Sequence, residues 1–184
     1  MNHRTFVFLL WLAVLATALF VYLFHREALQ RLLLELSSSP PVWIYAVYLA
    51  LGCVRGFTLV PATNLVVAGM LVLPPIPLYA LTIVGIIVSS AAVYYFAEAM
   101  QFDQFFERRY ATQVSRLRAL LSRRELPIVI GWSFFPIVPT DAVVYVCGAL
   151  KVDLKKCLVG VTVGEGAICA IYIFLGRQAL SWLR

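Results

Sequence analysis

The sequence predicts an all-α integral membrane protein: an inverted-topology repeat of two re-entrant helical hairpins, each followed by a transmembrane helix, plus an N-terminal transmembrane helix. Composition is the first reason. Of 184 residues, 62% are hydrophobic and 13% charged, and the mean hydropathy is +0.91, outside the soluble globular range. Interruption is the second, because long apolar runs are broken by prolines and glycines at two places. The third is a spacing that the two broken stretches share.

Thr5 to Phe24 is an apolar run of about 20 residues, enough for the ~30 Å hydrocarbon core at ~1.5 Å per residue. It lacks a small-residue cleavage site before a soluble domain and reads as a retained helix rather than a signal peptide. Between Arg26 and Leu36, Leu29, Leu32, Leu33 and Leu36 recur at helical spacing among charges, as in a helix lying flat at the interface. Residues 1–36 form this first unit. Ser37-Ser38-Ser39-Pro40-Pro41 is the clearest linker, and residues 37–184 form the membrane domain. Its expected elements are a hairpin over 42–77, a transmembrane helix over 78–100, a cytoplasmic amphipathic segment over 101–125, a hairpin over 127–150 and a transmembrane helix over 157–176.

From Pro41 to Ala97 the only charged residue is Arg55, and Gly52, Gly56, Pro61, Asn64 and Gly69 cluster around it. The stretch 127–150 is equally apolar, yet holds Pro127, Pro136, Pro139 and then Asp141. Each proline removes a backbone donor and clashes with the preceding turn, and an ionised carboxylate at mid-bilayer costs roughly 2.5–3.5 kcal/mol on insertion scales. Broken backbone at membrane depth survives only where protein or a watery cavity surrounds it. Pro61, Gly69, Pro136, Pro139 and Gly148 are therefore the expected hairpin-breaking residues. The spacing repeats: Arg55 precedes Pro61 by six residues as Ser133 precedes Pro139, and Gly69 and Gly148 follow those prolines by eight and nine.

Six arginines between Gln101 and Pro127, with Lys151, Lys155 and Lys156, place residues 101–126 and the N-terminus in the cytoplasm by the positive-inside rule. The two long helices then run in opposite directions, which makes the repeat an inverted one. No soluble domain carries these charges to a nucleic acid; anionic headgroups are their expected partners. Cys53, Cys147, Cys157 and Cys169 stand singly in apolar runs, and His3 and His25 flank the first helix. No metal ligand set or cofactor motif is visible.

The order Phe134-Phe135-Pro136-Ile137-Val138-Pro139-Thr140-Asp141, then Tyr145 and Gly148, resembles the signature of the DedA superfamily, also called the VTT or SNARE-associated Golgi protein domain. Arg55, Pro61, Asn64 and Gly69, with Gly85 and Phe96, are similar to that family's first half. The likeness covers roughly residues 42–176. It implies paired re-entrant hairpins and lipid handling: recycling of undecaprenyl phosphate, phospholipid flipping or scrambling, and proton coupling through hairpin acids, in bacterial members at the cytoplasmic membrane. Two positions depart from the family, Ser133 where members often carry arginine and Asn64 where many bacterial members carry an acid. A two-arginine phosphate clamp and a two-acid relay are thereby incomplete, and Arg55 is left to supply the positive charge.

On this reading Arg55, Asn64, Asp141, Tyr145 and Glu165 bind substrate, and Asp141, Glu165 and Glu98 are the proton-coupling candidates. A phosphate needs a cation and hydrogen-bond donors; charged groups in bilayers face interior cavities and pair; burial disfavours the charged form of a carboxyl group. No catalytic residue is expected, since no nucleophile–base pair or H-E-x-x-H motif is found. The expected function is a membrane lipid transporter or scramblase for a phosphate-bearing lipid. The alternatives are a small ion or proton-coupled solute carrier and, behind it, a lipid-modifying membrane enzyme. Gly85, Ser89, Ser90 and Ala91 on one helix leave room for close packing in a homo-oligomer.

Overall fold

The computed structural model describes residues 41–59, 61–100, 124–135 and 139–176, together with Ala13, Ala16 and Gln178. The expected N-terminal helix, the interfacial helix and most of the 101–125 segment lie outside the described residues, as does Pro136. Among the described residues every element is helical. Helix α1 spans Pro41–Val54 and continues as a 3-10 turn over Arg55–Thr58; α2 spans Ala62–Gly69 and α3 Pro75–Ala99. Helix α4 covers residues 124–134, α5 Thr140–Leu150 and α6 Leu154–Ala170, which widens into a π-turn over Ile171–Leu175.

Two of these helices are long and apolar enough to cross a bilayer, Pro75–Ala99 with 25 residues and Leu154–Leu175 with 22. Their outward faces are apolar as well. Val84, Ile87, Val88 and Tyr95 on α3, with Val159, Val163, Ile171 and Leu175 on α6, are exposed. A soluble helix would turn polar residues outward; these two apolar helices fit a membrane protein.

Prolines start three of the helices, each for the reason that a proline nitrogen has no hydrogen to leave unpaired in a first turn. Pro61 opens α2 at φ −56°, Pro139 opens α5 at φ −57°, and Pro75 is the first residue of α3. Just ahead of Pro61, Leu59 takes the left-handed conformation at φ 54°, and Thr58 Oγ1 donates to the Arg55 carbonyl at 2.7 Å. Helix α5 ends on Lys151 at φ 55°, where Val152 N–H reaches the Cys147 carbonyl and Lys151 N–H that of Gly148, the double closure of a Schellman motif. Asp153 then caps α6 by accepting from the Lys156 amide at 3.0 Å.

The helices pack in two parallel pairs. Helix α1 lies along α3 in steps of one turn: Tyr48 Oη is 2.8 Å from Thr82 Oγ1, Gly52 crosses Gly85 backbone to backbone, and Gly56 abuts Ser89. Helix α4 lies along α6 in the same way, with Glu125 on Lys156, Val129 on Gly160, and Ile130 and Ser133 on Gly164. The long helices α3 and α6 run antiparallel, since Ile83 meets Gly166 and the Tyr79 and Phe174 rings sit 5.9 Å apart. Helix α2 folds back on α1, with Gly69 against Tyr48 and Leu65 near Gly52. Helix α5 packs along α3, its Gly148 pressed on the Tyr94 carbonyl and Ala97.

Boundaries differ from expectation in two places. Helix α4 already includes residue 124, where the sequence reads as cytoplasmic amphipathic chain, and α6 begins at Leu154 under its Asp153 cap. The small residues Gly85, Ser89 and Ser90 are buried, two of them against α1, so this face of α3 is occupied within the chain.

Candidate functional site

Arg55 sits where α1 tightens into the 3-10 turn, and its guanidinium lies between two carboxylates. Nη1 donates to Asp141 Oδ2 at 3.2 Å. Nη2 lies 2.8 Å from Glu165 Oε1, an ion pair by distance with no aligned hydrogen bond. All three residues are buried, at 7%, 1% and 3% exposure, in a core whose other buried side chains are apolar or, as with Thr82, Ser89, Ser90, Ser133 and Thr140, small hydroxyls. Three different segments supply them: the break after α1, the first turn of α5, and the middle of α6.

Glycines bring these segments close enough. A side chain on Gly56 would collide with Val93 and crowd Asp141 Oδ1 at 3.1 Å, so the turn carrying Arg55 rests directly on the carboxylate. Gly164 and Gly166, on either side of Glu165, contact α4 and α3 respectively. Glu165 therefore emerges between two helices that approach its backbone.

The charge balance is uneven. One guanidinium faces two carboxylates, and Asp141 Oδ1 and Glu165 Oε2 are buried with no hydrogen-bond partner. Ser133 Oγ is likewise buried and unpartnered, its Cβ close above Gly164. Buried polar atoms are nearly always paired with protein or water, which makes three such oxygens in one neighbourhood unusual.

Of the expected substrate-binding residues, Arg55, Asp141 and Glu165 come together and Asn64 does not; it is exposed on α2. Glu98, expected to relay protons, is exposed near the end of α3. Tyr145 is half-buried beside Phe96, with ring centroids 6.3 Å apart, and Phe57 closes the row at 5.6 Å from Phe96. This aromatic row joins the 3-10 turn, α3 and α5 beside the charges. Sequence reasoning passed over Gly56 as a contact residue. Its one signal is adjacency to the lone arginine of the first broken stretch.

Broken apolar helices, two long helices with apolar outward faces and a buried charge cluster fit an α-helical membrane protein. A profile of the VTT domain matches residues 59–178, well over half the chain, and the chain belongs to this family, the DedA superfamily. The matched span holds Asp141 and Glu165, whereas Arg55 lies just upstream of it. Neither curated proteins nor solved structures give a match.

Proposed function

We propose that the protein is a lipid transporter or scramblase that carries a phosphate-bearing headgroup, of undecaprenyl phosphate or a glycerophospholipid, past the Arg55–Asp141–Glu165 cluster. The observation that carries this reading is the guanidinium of the first broken-helix unit held between two buried carboxylates, Asp141 of the second unit and Glu165 of α6. Such a group is rare in a bilayer and marks a substrate or ion path. Parallel packing within each unit and antiparallel packing between α3 and α6 support an inverted repeat, and the two proline breaks support hairpins that dip from opposite leaflets. The basic residues Arg124, Lys151, Lys155 and Lys156 near the α4–α6 end support a cytoplasmic location for that end, and family membership supports a bacterial cytoplasmic membrane.

The pairing also bears on mechanism. A phosphate that pairs with Arg55 competes with the two carboxylates already beside it, and a carboxylate that yields its place in a dry core does so most cheaply by accepting a proton. Substrate binding and proton uptake are then coupled. Vesicles containing labelled lipid test the reading: the protein accelerates transbilayer exchange, and Arg55→Ala or Asp141→Asn slows it. Rates equal to those of empty vesicles for all three proteins reject it. The unpartnered carboxylate oxygens favour one second reading, a small-ion carrier, for which a pH gradient alone drives flux and headgroup identity has no effect.

A further inference from the structure

We infer that α4 is a door over the charge cluster, held shut at its outer rim by the Glu125–Lys156 ion pair. The helix is attached along one face. Val129 and Ser133 are fully buried, while Gly131, Trp132 and Phe134 on the same helix, and Phe135 just after it, are exposed, and a side chain built on Gly131 would meet nothing within 4 Å. In contrast, α5 buries eight of its 11 residues.

The attached face is smooth. It lies on Gly160 and Gly164, where an added methyl would strike the Val129 side chain at 2.8 Å and the Ile130 carbonyl at 2.5 Å. Two glycines one turn apart present bare backbone, so only the short side chains of Val129 over Gly160 and Ser133 over Gly164 must lift out when α4 moves away. At the inner end of this track Ser133 covers Gly164, and the next residue is Glu165. Both Ser133 Oγ and Glu165 Oε2 are sealed from water without a partner, so parting of the two helices hydrates both at once.

The outer end is held by charge. Lys156 Nζ meets Glu125 Oε2 at 2.6 Å, with the lysine side chain 56% exposed and the glutamate 16%. An exposed pair of this kind is weak, enough to favour the closed position yet able to break and re-form. The door serves the transport reading above, but its movement is measurable without transport.

In the full-length protein in lipid nanodiscs, Ser133→Cys is labelled with N-ethylmaleimide and the modified residue located by peptide mass. Glu125→Lys or Lys156→Glu raises the labelling rate about two- to five-fold, the range an exposed ion pair allows. The charge swap carrying both restores the original rate, and Lys155→Glu, which makes the same charge change one residue away, leaves it unaltered. Unchanged labelling in the single variants, an equal effect of Lys155→Glu, or failure of the swap to restore the rate overturns the door. Backbone hydrogen exchange in a chain that retains Ser133 gives a second readout. Each single reversal speeds exchange through to residue 133, whereas faster exchange confined to residues 124–128 means only a fraying first turn and also overturns it. If labelling behaves as expected while no lipid moves in vesicles, the door stands and the lipid reading falls.

Discussion

The two broken-helix units make an informative comparison because they begin alike and end differently. Asn64 N–H reaches the Pro61 carbonyl at 3.1 Å, and Ala142 N–H reaches that of Pro139 at the same distance. Backbone geometry at the restart is thus common to both. Six residues upstream the units diverge: the first carries Arg55, paired twice, and the second carries Ser133, paired with nothing. The proline restart is a backbone solution available to any sequence, whereas the charge is specific to one unit. The cation comes from the first unit and one acid from the second, so neither unit holds a neutral site by itself.

The largest test of this asymmetry is Arg55→Ala against Ser133→Ala. Removing the guanidinium leaves two buried carboxylates uncompensated, and the expected loss is about 3–5 kcal/mol, read as a lower unfolding midpoint in detergent. Ser133→Ala removes an oxygen that has no partner and changes stability by less than about 0.5 kcal/mol. Adding Asp141→Asn and Glu165→Gln to Arg55→Ala recovers most of the loss, because no uncompensated charge is left. Comparable losses at Arg55 and Ser133 would break the contrast.

A second test compares the glycines that follow each proline. A methyl on Gly148 meets the Tyr94 carbonyl at 2.5 Å, and one on Gly69 meets the ends of the Leu78 and Tyr48 side chains at 2.5 and 2.7 Å. Side-chain ends rotate away and a helix backbone does not. Gly148→Ala is expected to cost about 1–3 kcal/mol, and Gly69→Ala measurably less, by the same thermal assay. The smallest effect is expected at Leu59, which holds a left-handed φ of 54° without being glycine. Leu59→Gly relieves about 1–2 kcal/mol of backbone cost, partly offset by the freer unfolded chain. A net gain of roughly 0.5–1 kcal/mol should appear as a higher midpoint, and a lower one would mean that the leucine side chain outweighs the strain.

Class, breaks and the charged trio were legible in the sequence because each rests on a local signal. A proline in an apolar run stops a helix wherever it lies, and a charge in such a run must find a partner. Placement was less legible. Asn64 stands three residues after Pro61 much as Asp141 stands two after Pro139, yet one is exposed and the other buried. In a soluble helix the apolar stripe reveals which side faces inward. In α3 and α6 lipid and core are equally apolar, so the helical phase leaves no trace in hydropathy, and a polar residue such as Glu98 could not be assigned inward or outward. The parallel track of α4 on α6 was hidden for a related reason: its signal is Gly160 and Gly164, four apart, which the sequence alone does not distinguish from lipid-facing glycines.

The crossing of Gly52 on Gly85 has a consequence for how deeply Arg55 sits. Where two backbones touch without side chains, no knob fits a hole, and α1 has no notch to stop it sliding along α3. Its axial position is set on either side of that bare contact, by the Tyr48–Thr82 hydroxyl pair one turn before it and, about one turn after, by the acids gripping Arg55 together with the packing of Gly56 and Phe57 on α3. The electrostatic trio is thus also a ruler, and when its pairing changes, the register of α1 on α3 loses one of the stops that set it.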